Sequence, residues 1–202
     1  MNKLNSQFYK RSSLEVAPEL LGKHLVFINN GKELVGRIVE VEAYMGPHDK
    51  AAHSYNNRRT KRNEIMYGPG GYAYIYLIYG MYYCLNVVTA NELEPQAVLI
   101  RAVEPISGLD EMAINRYQKS YQDLSSKEKL NLTNGPGKVT KALGITMKQY
   151  GESFNSDNLY ILDYPCDEKI IQTKRINIEY AEEARYFPWR FYLEGNKYVS
   201  KL

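Results

Sequence analysis

The segment GRIVEVEAY, residues 36–44, carries two carboxylates beside an aromatic residue. Strand alternation puts Glu40 and Glu42 on the side of Ile38 and Tyr44, with Val39, Val41 and Ala43 opposite. Along an extended strand the two acids lie about 7 Å apart. If both stay ionised in a site of low polarity they repel and need a cation, for which Arg37 and Arg101 are candidates. A carboxylate so placed can take a proton from water or face a developing positive charge. The plain reading is a solvent-facing strand with two idle glutamates, and the pattern alone favours it. The Gly46-Pro47 turn weighs the other way, because strand ends face loops where ligands bind.

A second chemical feature is YAYIYLIYGMYYCLN, residues 72–86, which holds six of the chain's 19 tyrosines and no charge. Its first half alternates, with Tyr72, Tyr74 and Tyr76 on one face and Ala73, Ile75 and Leu77 on the other. A turn at Tyr79-Gly80 would make a hairpin, since glycine supplies the positive φ of a tight turn. Tyr79, flanked by Ile78 and Met81, then sits at an exposed tip. It either packs on a neighbouring loop or serves as a wedge between base pairs. Just before the hairpin, Arg58, Arg59, Lys61 and Arg62 place four cations in five positions. That run is a solvated loop or a phosphate contact. NGPGKVTK offers another anion site at a helix start beside Lys138, without P-loop spacing. His24, His48 and His53 show no metal-ligand spacing, so no metal or cofactor is expected.

The elements that must hold these groups read as a single α+β domain over residues 1–202. SSLEVAPELLG predicts a short helix with Pro18 near its first turn and an end at Gly22. KHLVFI and residues 34–44 predict two strands joined at NNGK. Residues 97–103, LYILDY and KRINI predict further strands. GLDEMAINRYQKSYQ and the segment after NGPG predict helices, and RFYLEGNKYVS predicts a closing hairpin. The chain has 202 residues, enough for one domain with a sizeable core. Its net charge of +3 permits a nucleic-acid partner without announcing one. Two cysteines are too few for a disulfide framework and suit a reducing cytoplasm. The first residues have no apolar signal core. Tyr72 to Val88, though uncharged, is shorter than the roughly 20 residues of a spanning helix, so no membrane association is expected.

Taken together, GRIVEVEAYMGPHDKAAHS, YAYIYLIYGMYYCLN, VLIRAVEP, GPGKVTKALGI and RFYLEGNKYVS resemble the alkyladenine (3-methyladenine) DNA glycosylase family, the mixed α/β type without helix-hairpin-helix motifs. The motifs keep the family's order from about Leu20 to Ser200. The resemblance implies a curved, largely antiparallel sheet with flanking helices and a protruding hairpin that enters DNA. It implies a monofunctional enzyme that flips alkylated or deaminated purines, 3-methyladenine or hypoxanthine among them, out of duplex DNA and hydrolyses the glycosidic bond. Glu42 matches the residue that activates water, and Arg101 the arginine that helps hold it, with the backbone of Ile176 completing the cradle. Tyr44, His53 and Tyr76 match the walls around the flipped base, and Asn86 the asparagine that crowds a guanine 2-amino group. Tyr79 matches the intercalating tyrosine. Arg58, Arg62, Met81 and Lys138 match positions near the DNA backbone or groove. The partner implied is double-stranded DNA with damaged purines, met by a monomer in the cytoplasm or nucleoid with no obligate protein partner. His48 and the segment 179–187 depart from the family pattern.

Two rival readings stand beside this one. A non-catalytic nucleic-acid-binding domain would use the hairpin and basic loop alone. A nucleoside hydrolase would need neither of them.

Overall fold

Two turns of one kind shape the sheet. In the computed structural model, which describes residues 1–201, Asn30 and Gly31 have φ of 50° and 75°, and Tyr79 and Gly80 have φ of 51° and 70°. Positive φ at both central residues is the two-residue hairpin geometry that matches strand twist. The first turn joins β1 (His24–Asn29) to β2 (Lys32–Tyr44), and the second joins β3 (Ala73–Ile78) to β4 (Tyr82–Thr89). β5 (Gln96–Ser107) runs beside both β4 and β2. β6 (Leu159–Leu162), β7 (Ile170–Thr173) and β8 (Arg190–Leu193) complete an eight-stranded sheet in which every pairing is antiparallel. The order is β3-β4-β5-β2-β1-β6, with β8 on the outer half of β2 and β7 beyond it. Bulges around Val39 and Glu40 bend β2 at its centre.

The helices are short. They are α1 (Ser6–Tyr9), α2 (Ser13–Leu20), α3 (Leu109–Tyr117), α4 (Ser126–Leu130) and α5 (Pro136–Leu143). Val16, Leu20, Met112, Val139 and Leu143 pack into one core with Val39, Val41, Ile75, Leu85 and Ile100. The opposite sheet face carries a smaller cluster of Tyr74, Met66, Tyr67, Val88 and Ala97, with Tyr76 packed against it. The alternation of the tyrosine strand therefore sends Ala73 and Ile75 to the main core and Tyr74 and Tyr76 to the other side. Among the described residues, no helix is long and apolar enough to cross a membrane.

Several expected elements differ. Pro18 lies late in α2, not in its first turn, and the capping box of Ser12 and Glu15 sets the start instead. α3 stops at Tyr117, where Gln118 turns left-handed. KRINI is not a strand: the strand is the preceding IIQT, and Asn177 at φ 58° breaks extension while Arg175 is drawn into the interior. RFYLEGNKYVS does not close as a hairpin, because the chain after β8 bends back to bring Ser200 onto Glu40.

α5 braces the tyrosine hairpin. Thr140 Oγ1 donates to the Tyr83 carbonyl at 2.9 Å. Gly137 lies so close to Tyr82 that a Cβ at 137 would come within 2.9 Å of the Tyr82 Cβ.

Candidate active site

Cross-strand register lays a row of side chains over the second sheet face. Tyr74 pairs with Asn86, Asn86 with Leu99, Leu99 with Glu42, and Glu42 with Arg190. Directly paired residues share a face. Residues from five strands therefore meet around Glu42, and Arg101 stands two residues beyond Leu99 on the same face.

Glu40 and Glu42 are both fully buried, which overturns the solvent-facing reading of the strand. Their roles separate by hydrogen bonding. Glu40 Oε1 accepts from Arg101 Nε at 3.0 Å, Arg190 Nε at 2.7 Å and Ser200 Oγ at 2.9 Å, and Oε2 accepts from the Ser200 N–H at 2.6 Å. Its acceptor capacity is used up by structure. Glu42 Oε1 accepts from the Ile176 N–H at 2.8 Å and lies 3.3 Å from an Arg101 nitrogen, and Oε2 accepts from the Tyr44 hydroxyl at 2.9 Å. Those two hydrogen bonds leave acceptor capacity for a water molecule. Two carboxylates and two guanidinium groups balance in charge, which offsets the cost of burying them. Burial opposes the charge on Arg101, yet Glu42 and Glu40 outweigh it and raise its pKa. Of the two cations considered for this role, Arg101 fills it. Arg37 instead pairs with Glu104 and Glu168.

Tyr44, Arg101 and Ile176, the three groups around Glu42, line a cleft of about 500 Å³. His53, Tyr76, Cys84, Tyr180 and the hairpin residues Tyr79 and Tyr82 also line it. Burial, and then the charge of Glu42, raises the Tyr44 pKa, so its hydroxyl stays a donor. His53 Nδ1 lies 2.6 Å from the Tyr74 hydroxyl, and its ring meets Tyr76 edge-on at 4.6 Å. Burial, helped by Arg62 and Arg58, lowers its pKa to about 4, so His53 is neutral near pH 7. Asn86 is buried and donates to the Tyr74 carbonyl at 3.0 Å. Burial raises the Cys84 thiol to about 11, which makes it an inert wall. Among the described residues, no three His, Cys, Asp or Glu side chains converge to hold a metal ion.

The hairpin tip lies at the rim of this cleft. Tyr79 is 79% exposed and Met81 67% exposed. Arg62 reaches over the Tyr76 ring at 5.2 Å and to the Leu77 carbonyl, joining the basic loop to the hairpin. Arg58 is exposed, whereas Arg59 is committed to Glu64 at 2.5 Å. Lys138 lines the cleft at the start of α5, held by Asn131 and Asn134 at 2.8 and 2.7 Å. His48 is exposed and does not line the cleft.

Two residues absent from the sequence reading hold the site together. Asp49 and Arg175 are buried and joined by two hydrogen bonds of 2.5 and 2.8 Å. The Arg175 guanidinium lies between the rings of Tyr44 and Trp189, at 4.7 and 5.0 Å, and donates to the Ala43 and Ala184 carbonyls. Its neighbour Ile176 supplies the N–H on Glu42, so the pair fixes that contact. The signal available was the acid directly after the GPH turn, and reading KRINI as a strand hid its partner.

The chain matches the family model of methylpurine-DNA glycosylase over residues 7–197. It is 52% identical over 201 residues to a protein of Clostridium novyi (strain NT), a match that covers all of both chains. It is 54% identical over 200 residues to proteins of Bacillus thuringiensis (strain Al Hakam) and Bacillus cereus (strain AH820), covering 96% of this chain and 97% of theirs. All three relatives carry the provisional name 3-methyladenine DNA glycosylase.

Proposed function

The chain belongs to the methylpurine-DNA glycosylase family, and from that premise we propose that it flips alkylated purines out of duplex DNA and cleaves their glycosidic bond with a water activated by Glu42. The observation that carries this reading is the contrast between the two buried carboxylates. Glu40 is saturated by Arg101, Arg190 and Ser200, while Glu42 keeps free acceptor capacity beside a cleft.

Cleavage builds positive charge on the sugar as the base departs. Glu42 stabilises that charge and accepts a proton from the attacking water. Arg101, fixed by Glu40, sets the position of the Glu42 carboxylate. A base methylated at N3 or N7 is cationic, so it leaves without a general acid. The tyrosine rings favour such a base by about 0.5–2 kcal/mol per good contact. Neutral His53 suits the same pocket, since an imidazolium there would repel a cationic base. Neutral hypoxanthine lacks this advantage and makes the poorer substrate. Asn86, buried beside Tyr74, narrows the pocket against a guanine 2-amino group. Flipping costs a few kcal/mol. Tyr79 and Met81 offset that cost by filling the gap, and Arg58, Arg62 and Lys138 hold the flanking phosphates.

The test uses duplexes that each carry one lesion, with release of free base measured for wild type and Glu42→Gln. Glu42→Gln is expected to bind the same duplexes and release base about 10²–10⁴-fold more slowly. Excision at the wild-type rate would exclude Glu42 as the activating group. A wild type that binds these duplexes and releases nothing would favour the non-catalytic reading.

A further inference from the structure

The cleft is not the whole pocket. Beneath it lies an inner hollow of about 40 Å³ floored by Met66, Tyr74, Asn86 and Ala97. That space holds a few water molecules at most. Tyr44, His53, Tyr76 and Tyr180 line both spaces and so form the partition between them. A purine that reaches Asn86 must displace one of the four.

Three of them are held. Tyr44 is tied to Glu42 through its hydroxyl and lies against Arg175. His53 is tied to Tyr74 at 2.6 Å. Tyr76 packs against Tyr74 and His53 beneath Arg62. Tyr180 differs from all three. It is 67% exposed, and its hydroxyl makes one bond of 3.3 Å, to the Ala51 carbonyl. The segment that carries it, Glu179–Tyr186, is kinked at Glu182, where φ is 48°. Tyr180 also lines a third cavity of about 290 Å³, which lies toward Arg58 and Arg62. Tyr180 thus stands between the inner hollow and that cavity, and an outward swing of its ring would join them.

We propose that Tyr180 is a specificity-determining residue, a movable aromatic wall that admits the flipped purine, closes against it and limits the size of substituents on that side. This inference rests on the glycosylase reading and goes further by naming what restricts the substrate. The ring, rather than the hydroxyl, does the selecting. A purine with a single methyl group fits with the wall closed. A purine with a benzyl-sized group on the facing edge holds the wall open and loses the stack.

Excision is compared on two duplexes, one with a methylated and one with a benzylated purine, for wild type, Tyr180→Ala and Tyr180→Phe. Tyr180→Ala is expected to slow release of the methylated base roughly tenfold, the worth of one base–aromatic contact. Its release of the benzylated base is expected to hold or rise, and Tyr180→Phe to follow wild type on both. A second measurement does not depend on turnover. The fluorescence of ethenoadenine in a duplex bound by Glu42→Gln is expected to be quenched, and the Glu42→Gln/Tyr180→Ala double variant to relieve the quenching. An unchanged ratio of the two substrates, or fluorescence that ignores residue 180, would overturn the proposal. A wild type inactive on every lesion would refute the glycosylase mechanism instead, and the fluorescence would still decide the role of Tyr180.

Discussion

Replacing Asp49 by asparagine removes one charge from a buried pair and little else. The Asp49 oxygens accept from Arg175 at 2.5 and 2.8 Å and from the N–H groups of Met45 and Ala51. Asparagine keeps one of these oxygens and must turn an amide NH₂ toward other donors. Arg175 is then a buried cation without a counter-charge, and breaking such a pair costs about 3–5 kcal/mol. In a chain of 202 residues each kcal/mol moves the melting midpoint by about 2–4 °C, so a fall of about 6–20 °C is expected. The effect on chemistry is separate. If residues 175–177 shift, the charge-assisted bond from the Ile176 N–H to Glu42 is lost, worth about 1.5–3 kcal/mol, or roughly 10–150-fold in rate. The double variant Asp49→Asn/Arg175→Met removes the stranded charge. It is expected to recover most of the stability and none of the rate, since nothing returns Ile176 to Glu42. Thermal melts and single-turnover excision below the lowest midpoint read the two effects. A single variant that melts within 2 °C of wild type (about 1 kcal/mol at most), or a double variant with wild-type excision, would refute the argument.

Two further outcomes are expected. Tyr79→Ala should reduce excision from duplex DNA by about 10–100-fold, because the wedge no longer offsets a flipping cost of a few kcal/mol, and should leave excision from single strands unchanged. Undiminished excision from duplex would contradict the wedge. His53 titrates near 4 when folded and near 6.5 when unfolded, so as pH falls through that window the unfolded chain binds a proton that the fold refuses. Stability from this source is therefore lost on acidification from about pH 6.5 to about pH 4, and His53→Gln should flatten that part of the melting-temperature profile. Identical profiles would mean that His53 is not held neutral by its surroundings.

The strands around the site were legible because local chemistry fixed them. Asn30-Gly31 and Tyr79-Gly80 set two hairpins, and alternation on β3 sorted core from cleft. Glu42, Tyr44 and Asn86 were singled out by motif, and register explains why the fold brings them to one face. The fate of Glu40 was not legible. Its partners Arg190 and Ser200 lie 150 and 160 residues away along the chain, and no local pattern joins them. Arg175 was missed for a related reason. In sequence it alternates with isoleucines like a strand residue, and only burial against Asp49, Tyr44 and Trp189 shows it to be an internal brace. Tyr180 lies in the segment 179–187, to which the motifs of the sequence gave no role.

The bracing of the tyrosine hairpin by α5 bears on how damage is found. Tyr79 is held in a left-handed conformation that bulky residues rarely adopt, and Thr140 and Gly137 back the strands behind it. On the proposed reading, a load applied at the tip passes through both strands into the helix and meets stiffness rather than yielding. A rigid probe pressed on a well-stacked step is pushed back, while a step weakened by a lesion gives way. Under that reading the hairpin would convert the local compliance of DNA into a first round of discrimination, completed before any base has reached the pocket.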